Sequence, residues 1–186
     1  MSFRCIALLI LSMQLFSCVE TPVKESNIFN LEGRDYLYQE KEWSFIGRLA
    51  ISDADQSLSA SIDWEHHENR DDIELSGAFG QGRTRIELMQ GEMIVDDGKQ
   101  RLHYYGEEDK LISELLGIKV PFSALKFWVR GLLAPKKDYQ LIEKGFLQSQ
   151  WMIKYLQMQF IGQDELPYKI KIENDKASLK LVINQW

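Results

Sequence analysis

The densest cluster of side chains that could do chemistry lies in the segment WEHHENRDD, residues 64–72. Its two histidines and four carboxylates are groups that transition metals accept as ligands. His66 and His67 are adjacent, however, and adjacent residues on a strand point to opposite faces, so they cannot easily share one ion. A solvated hairpin loop is therefore the better interpretation of this segment, with metal binding as the alternative.

The remaining polar patterns form no catalytic constellation. The sequence contains neither a phosphate-binding loop nor a G-x-S-x-G nucleophile motif. The carboxylate pairs Glu107–Glu108 and Asp96–Asp97 are typical of a helix start and a surface turn. His103 alternates with apolar neighbours and is interpreted as a core residue. We therefore expect no enzymatic activity, no cofactor and no bound metal.

One apolar residue stands where a loop is expected. The segment LSGAFGQG, Leu75 to Gly82, places Phe79 among glycines, an alanine and a serine. A large apolar ring is unexpected in a turn that faces solvent, because no bulky residue nearby in the sequence can pack on it. Either the ring is exposed for contact with a partner, or it folds back and plugs the end of a sheet.

The N-terminus has the pattern of an export signal. Arg4 precedes an apolar run from Cys5 to Phe16, which is shorter than the roughly 20 residues of a membrane-spanning helix. The run ends in Leu-Phe-Ser-Cys, which resembles a bacterial lipobox. Residues 1–17 are thus predicted to be a lipoprotein signal peptide and Cys18 to be acylated. An ordinary signal peptide or an uncleaved anchor, with an incidental cysteine, is the alternative.

Composition limits the function further. Removal of the signal would leave about 170 residues, enough for one domain with a single core. Of the two cysteines, Cys5 would be removed and Cys18 modified, so the core must hold without disulfides. The net charge of −6 argues against nucleic-acid binding and against electrostatic capture by an anionic membrane.

The elements that position these residues are mostly strands. Residues 18–27 are predicted to be a tether and residues 28–186 a single domain. Asn30 to Glu42 is predicted to form an amphipathic helix, with Leu31 and Tyr38 on its buried side. Alternating apolar residues then predict about ten or eleven antiparallel strands, interrupted by two helical segments, EEDKLISELLG and PFSALKFWVRGLL.

A meander of this length, with helices inserted between its halves, predicts a strongly curved sheet that the helices close on one side. Strand alternation places ten apolar residues on its concave face: Phe45, Leu49, Ile62, Trp64, Leu75, Ile86, Leu88, Trp151, Ile153 and Tyr155. A filled core explains most of these residues. Because such a sheet encloses more volume than two short helices obviously fill, a cavity for an apolar ligand is the second interpretation.

Several motifs together resemble the outer-membrane lipoprotein receptor family LolB of Gram-negative bacteria. They are the lipobox-like end, FIGRLAI, IDW, LSGAFGQG, GIKVPFSALKFWVRGL, QWMIKY and the terminal LVINQW, in this order. The segment from Pro121 to Gly131 is the most specific of them. Trp64, Trp128 and Trp151 stand where the family tends to place tryptophans. The resemblance covers nearly the whole mature chain.

The resemblance implies a fold and a task. The fold would be mainly β: an incomplete antiparallel β-barrel with helices over its opening and an apolar cavity between. The protein would accept acylated lipoproteins from the periplasmic carrier LolA and place them in the inner leaflet of the outer membrane, without a nucleotide. Its acyl-chain cavity would be lined by the concave-face residues above, except Tyr155, together with Trp128.

The resemblance also explains the loop phenylalanine. In the family, the loop after the third strand projects an apolar residue that delivers cargo into the bilayer, and Gly77, Ala78, Phe79 and Gly80 occupy that position. Residue 19, which follows the predicted acylated cysteine, is valine and not the aspartate that commonly retains enterobacterial lipoproteins at the inner membrane. This favours residence in the outer membrane. A periplasm-facing, lipid-anchored monomer is expected. The alternatives are a lipid-anchored structural or assembly factor with a packed core, and a lipid-modifying enzyme.

Overall fold

The computed structural model describes residues 25–26, 29–77 and 82–186, with the backbone alone for the first of these ranges. The predicted signal peptide and Cys18 lie outside the described residues. So do Ala78, Phe79 and Gly80.

Within these described residues, twelve strands form one antiparallel sheet. The strands are β1 Glu25–Ser26, β2 Trp43–Asp53, β3 Ser57–His67, β4 Arg70–Ser76, β5 Arg83–Met89, β6 Glu92–Asp96, β7 Arg101–Tyr105, β8 Tyr139–Ile142, β9 Gly145–Gln148, β10 Trp151–Ile161, β11 Asp164–Glu173 and β12 Ala177–Gln185. In space they follow the order β7-β6-β5-β4-β3-β2-β12-β11-β10-β9-β8, with β1 paired to β10 beside this series. The sheet is not closed, which confirms the predicted incomplete barrel.

The first and last long strands meet in the middle of the sheet. β12 pairs with β2 along its length, with Leu181 opposite Leu49 and Ile183 opposite Gly47. A Cβ atom at Gly47 would lie only 2.4 Å from the carbonyl oxygen of Val182, so glycine is required for this close approach. This pairing joins the two meanders, β2 to β7 and β8 to β12, into one curved sheet.

Three hairpin turns are held by short polar side chains. Asp53 accepts the backbone N–H groups of two following residues, both at 2.9 Å. Asp97 and Asn174 do the same in the turns before β7 and β12, at 2.8–2.9 Å. Such turns are a local property of the sequence, and they explain why the hairpins form where Asp and Asn clusters interrupt the alternation.

Two α-helices cover the concave face, as predicted. Helix α1, Glu108–Leu116, ends at Gly117, whose φ of +71° is the left-handed conformation typical of a helix terminus. Helix α2, Phe122–Trp128, begins directly after Pro121. Within the part of the chain that the structure describes, no helix has the length and apolar character needed to cross a membrane.

The predicted helix from Asn30 to Glu42 is wrong. Only a 3-10 helix, Asp35–Gln39, forms there, and its buried residue is Leu37, whereas Tyr38 is 38% exposed. Gly33 has a φ of +79°, which ends any α-helix, and the side chain of Arg34 turns inward to the carbonyl oxygen of Asn30 at 2.7 Å. A buried arginine thus organises this segment.

The interpretation of His103 as a core residue is also wrong. All five residues of β7 are exposed, and Nδ1 of His103 lies 2.8 Å from a carboxylate oxygen of Glu92. β7 is the end strand of an open sheet, so its alternation has no core to face. Alternation alone does not distinguish an end strand from a central one.

Candidate functional site

An apolar void of about 40 Å³ lies between the concave face of the sheet and the two helices. Sixteen side chains line it, all apolar: Phe45, Leu49, Ile51, Ile62, Trp64, Ile73, Leu75, Ile86, Ile112, Leu116, Val120, Phe122, Leu125, Val129, Leu179 and Leu181. Small-molecule sites usually enclose roughly 300–1,000 Å³. The helices therefore cover a wholly apolar surface of the sheet and leave little free volume above it.

The ten residues that the sequence placed in an acyl-chain cavity divide into two groups. Six border the void: Phe45, Leu49, Ile62, Trp64, Leu75 and Ile86. The other four, Leu88, Trp128, Trp151 and Ile153, are buried in the core but do not border it. Trp128 turns away because its indole N–H donates to Oε1 of Gln148, at 2.8 Å.

The contribution of β12 to the void was not predicted from the sequence, and Trp128 was the only helical residue predicted to line it. Leu179 and Leu181 border it because β12 lies beside β2, a pairing across more than a hundred residues of chain. The helical lining could have been found from the spacing of Ile112 and Leu116, which lie one turn apart on α1. Helix periodicity shows which face is apolar, although it does not show which part of the sheet that face covers.

Aromatic rings join the sheet to α2 at one side of the void. Trp64 of β3 stacks on Phe122 of α2, with ring centroids 5.0 Å apart and an angle of 19°. Trp43 and Phe45 pack around the same indole at 5.2 and 5.7 Å. Ring stacking of this kind adds roughly 0.5–1.5 kcal/mol to the burial of each pair, so these contacts stabilise the packing of α2 on the sheet.

A buried carboxylate holds the same side together. Asp71 on β4 is 2% exposed. It accepts the indole N–H of Trp64 at 2.9 Å, lies 2.7 Å from Nδ1 of His66, and accepts from Nζ of Lys126 at 3.4 Å. Lys126 of α2 also donates to Glu108 of α1, at 3.0 Å. We call these five residues the Asp71 cluster; it ties both helices to the sheet.

The segment WEHHENRDD forms the predicted hairpin between β3 and β4, in which Glu65, His67, Glu68 and Arg70 are exposed, whereas the burial of Asp71 was not predicted. The segment spans the ends of β3 and β4, and its carboxylate at Asp71 is satisfied by three donors rather than by water. Among the described residues, no group of three or more His, Cys, Asp or Glu side chains could hold a metal ion.

Charge and burial compete at Lys126. Burial lowers the pKa of its amino group, whereas the carboxylates of Asp71 and Glu108 raise it, and the net shift is upward from the usual 10.5. Lys126 is therefore a cation at neutral pH. The cluster is an ion-paired structural joint in which the polar groups satisfy one another.

Helix α2 is fixed to the sheet at its C-terminal end by buried hydrogen bonds. The phenol of Tyr155 donates to the carbonyl oxygen of Trp128 at 2.8 Å, and Gln148 binds both the Trp128 indole and the backbone of Ala134. Trp128 and Tyr155 are fully buried. We call the two helices over the concave face the cover. Because each of these donors would lose its partner if α2 moved, α2 forms the static part of the cover.

Helix α1 is held by bonds that are nearer to water. Gln56, in the turn between β2 and β3, donates to the carbonyl oxygen of Gly117 at 2.7 Å, an exposed contact. Asp109 accepts from the backbone and the hydroxyl of Ser123 at 2.7 and 3.0 Å, also exposed. Water can replace these partners, whereas the bond from Lys126 to Glu108 in the Asp71 cluster is part-buried. The hydrogen bonds of α1 are thus on the whole nearer to water than those of α2.

An open groove lies outside the connection between the helices. It measures about 920 Å³ and is lined by both charged and apolar side chains, among them Lys119, Val120, Trp151 and Lys176. Val120 borders the void as well as the groove. The groove and the void therefore meet at Val120, beside the α1–α2 connection and at the end of the sheet that carries the β2–β3 turn.

The loop predicted to insert into a membrane joins β4 to β5. Ser76 and Arg83 are the last paired residues on either side of it. Gly77 and Gly82 have φ values of +78° and +108°, and a Cβ atom at either position would meet nothing within 4 Å. The glycines thus let the chain leave the sheet on both sides. Ala78, Phe79 and Gly80 lie outside the described residues.

Comparison with known proteins gives a consistent result. The profile of the family described as "Outer membrane lipoprotein LolB" matches residues 41–186. A relative from Chromohalobacter salexigens is 32% identical over 150 residues, which cover 77% of this chain and 70% of the relative. Relatives from Pseudomonas fluorescens and a Shewanella species are 29% and 27% identical over 77% and 80% of this chain and 73% of each relative. All three carry the name "Outer-membrane lipoprotein LolB".

Proposed function

Because the chain belongs to the LolB family of outer-membrane lipoproteins, we propose that it receives acylated lipoproteins from the periplasmic carrier LolA and inserts them into the inner leaflet of the outer membrane. The observation that carries this proposal is the wholly apolar interface between the concave face and α1, a helix held by two exposed sets of bonds and by the part-buried bond from Lys126 to Glu108. Such an interface can take up acyl chains when the helix moves away.

The physics of the cargo supports a relay. Burial of an acyl chain stabilises it by about 0.8 kcal/mol per methylene, so a lipoprotein with two or three chains faces roughly 20–40 kcal/mol on exposure to water. Direct diffusion through the periplasm is therefore very slow. Transfer from one apolar surface to another avoids the exposed state. Without a nucleotide, each step must run downhill, from carrier to receptor to bilayer.

Uptake requires the cover to open. The closed void of about 40 Å³ is far too small for an acyl chain. In this proposal α1 separates from the sheet, exposing Ile112 and Leu116 together with the concave face, while α2 stays fixed through Trp128 and Gln148. Cargo chains enter beside Val120, where the groove meets the void.

The anchor and the loop complete the proposed cycle. Acylated Cys18 keeps the protein in the outer membrane, facing the periplasm, and the β4–β5 loop brings Phe79 to the leaflet that receives the cargo. The gain from burying one phenylalanine, roughly 1.5–3 kcal/mol, suits a brief contact rather than a permanent one. Folding of the ring back onto the sheet is the alternative.

A transfer experiment tests the proposal. LolA loaded with a fluorescently labelled, acylated lipoprotein is mixed with the full-length protein and phospholipid vesicles. We expect label to leave the carrier, appear on this protein and then reach the vesicles without added nucleotide. Transfer to vesicles at the same rate when the protein is omitted would contradict the proposal.

A second candidate function follows from the small size of the void. A lipid-anchored structural or assembly factor would need no opening, and a core with about 40 Å³ of free space fits that role. An apolar fluorescent probe separates the two. A receptor binds the probe and releases it to an acylated lipoprotein, whereas a packed core binds neither.

A further inference from the structure

Three lysines stand side by side on the outward face of the sheet. Lys154 of β10 is directly opposite Lys171 of β11, which is directly opposite Lys180 of β12. In the neighbouring row, Lys169 of β11 and Arg48 of β2 both pair with Val182, which lies between them. We call these five residues the basic face.

Strand alternation fixes the direction in which these side chains point. Ile153, Ile172 and Leu179, each adjacent in sequence to one of the three lysines, are at most 2% exposed and belong to the core. Since successive side chains on a strand point to opposite sides, the lysines lie on the side facing away from the core. Lys169, Lys180 and Arg48 are exposed.

The basic face is unfavourable for the isolated protein. Like charges directly opposite one another across strands destabilise a sheet. Glu173 pairs with Lys171 at 2.6 Å. For Lys154, Lys180 and Arg48, the described residues supply neither an ion pair nor a hydrogen bond, and Lys169 contacts the ring of Tyr168. Most of this charge is thus left for a partner outside the chain.

On the other half of the sheet, outward arginines and carboxylates pair with one another: Arg83 and Arg85 lie within 3.5 Å of Glu74, and Arg70 lies 2.6 Å from Asp72. On the outward side of β3 and β4, Asp63 is opposite Glu74 and Glu65 is opposite Asp72. The excess of acidic residues in the whole chain therefore coexists with a positive surface on β2 and β10–β12. A partner that recognises the basic face must be negatively charged.

The position of β1 indicates which negatively charged partner is near. Glu25 and Ser26 pair with Gln159 and Met158 of β10, one of the strands that carry the basic face. Cys18 precedes Glu25 by seven residues, which reach at most about 25 Å when fully extended. An acyl anchor at Cys18, which is part of the proposed function, therefore keeps β10 close to the membrane surface.

We propose that the basic face binds the phosphate groups of anionic phospholipids in the membrane that holds the anchor. Lysine ammonium groups contact phosphates as point charges and need no exact geometry, so a row of them fits a fluid headgroup layer. The attraction extends over a Debye length of about 8 Å at physiological salt, and it acts once the anchor has brought the protein to the surface. The result is a fixed orientation of the sheet on the membrane.

Lysine labelling of the full-length acylated protein tests this proposal. The protein is reconstituted into vesicles of phosphatidylcholine, with or without phosphatidylglycerol, and treated briefly with an amine-reactive reagent. We expect Lys154, Lys169 and Lys180 to react about fivefold more slowly in the anionic vesicles. Lys99 and Lys110, exposed residues of a turn and of α1, should react equally in both. In 1 M salt, where the Debye length is about 3 Å, the protection should disappear.

A pair of charge-matched variants provides the control, with Lys171 as the reporter. The triple variant Lys154→Gln, Lys169→Gln, Lys180→Gln should lose the protection of Lys171, whereas Lys99→Gln, Lys110→Gln, Lys136→Gln should keep it. Equal labelling of Lys171 in neutral and anionic vesicles would overturn the proposal. So would protection that appears only when an acidic carrier protein is added. Because the readout needs no cargo, it can succeed or fail independently of lipoprotein transfer.

Discussion

At the scale of single residues, Ile62 offers the most direct test of the apolar interface. It is 5% exposed, borders the void and lies between Gly47 and Leu75 on the neighbouring strands. Ile62→Glu places a carboxylate where no donor can reach it, which is strongly unfavourable. We expect the variant to lose apolar-probe binding and cargo uptake from the carrier, measured by fluorescence and by co-purification.

The neighbouring serine provides the matched control for that variant. Ser61 is exposed on the opposite face of β3, so Ser61→Glu adds the same charge without entering the void. It should bind probe like the parent protein. Circular dichroism must first show that both variants are folded. Normal cargo uptake by a folded Ile62→Glu protein would contradict the assignment of this surface to acyl chains.

Phe79 gives the second residue-scale prediction. If its ring enters the leaflet, Phe79→Glu should leave folding and cargo uptake intact and block delivery to vesicles, because a carboxylate cannot enter the hydrocarbon layer. If the ring plugs the sheet instead, the same change should lower the free energy of unfolding by roughly 1–3 kcal/mol. Urea unfolding and the vesicle-transfer assay together distinguish these outcomes.

Gln81→Glu is the control for Phe79→Glu, since it adds a charge to the same loop and keeps the ring. It should deliver cargo faster than Phe79→Glu. A stable Phe79→Glu variant with undiminished delivery would rule out the insertion role. Equal loss of delivery in both variants would attribute the effect to loop charge rather than to the ring.

The sequence predicted single residues well only where local alternation decides their direction. Phe45, Ile62 and Trp64 were correctly placed on the concave face because β2 and β3 alternate without interruption. The burial of Asp71 could not be predicted, since it depends on Lys126, which lies 55 residues further along the chain. Contacts between distant elements leave no periodic signal in either one.

At the scale of elements, the two helices differ in how firmly they are held. α2 is fixed by the buried bonds of Trp128, Tyr155 and Gln148, whereas α1 depends on Gln56, Asp109 and the Asp71 cluster.

Gln56→Ala removes the hydrogen bond from the Gln56 side chain to the carbonyl oxygen of Gly117. We expect faster uptake of an apolar probe in stopped-flow fluorescence, because the closed state loses about 0.5–1.5 kcal/mol. Gln163→Ala, in the exposed turn between β10 and β11, should leave the rate unchanged. An unchanged rate in Gln56→Ala as well would argue against opening at α1.

The Asp71 cluster should also make stability depend on pH. Since the pKa of Lys126 is raised in the folded protein, its contribution to stability is fully present below the usual value of 10.5 and is lost as pH rises through the folded value. Lys126→Met removes this contribution and should lower the free energy of unfolding by about 1–3 kcal/mol at pH 7, because Asp71 loses a buried cation. Urea titrations at pH 7 and above pH 10.5 measure it. The difference between parent and variant should shrink at high pH; a constant difference would contradict the ion-pair explanation.

Elements were predicted reliably where their end signals and their apolar pattern agree. α1 has acidic residues in its first turn, an apolar face and Gly117 at its end, and it forms as expected. The segment from Asn30 to Glu42 has an apolar pattern, but Gly33 interrupts it, and Arg34 donates to the nearby carbonyl oxygen of Asn30 and to the buried carbonyl oxygen of Arg130. The positive φ of Gly33 and the long-range contact with Arg130 outweighed the helix propensity there.

At the scale of the whole molecule, the pairing of β12 with β2 could not be predicted from the sequence. Both strands alternate clearly, yet alternation does not specify neighbours, and the close approach at Gly47 is visible only once β12 is in place. The same limit applies to charge. A net charge of −6 describes the chain as a whole, whereas sheet pairing gathers cations on β2 and β10–β12 and places the arginines of β4 and β5 beside carboxylates. In our proposal, contact with the membrane therefore depends on the charge of the basic face rather than on the net charge of the chain.

The proposed contact between the basic face and a membrane requires the lipid anchor. Substitutions at the two cysteines test whether Cys18 carries that anchor. In the proposed processing, Cys5 is removed with the signal peptide and Cys18 becomes the acylated first residue. Mass spectrometry of protein isolated from membranes should show an N-terminal Cys18 carrying lipid. Cys5→Ser should leave this product unchanged, because the residue is cleaved away. Cys18→Ser should give an unacylated chain that still binds an apolar probe, since β2 to β12 do not depend on lipid. An unmodified Cys18 in the parent protein, or cleavage at another residue, would show that the protein reaches the membrane by other means and would leave the basic face without a tether to bring it there.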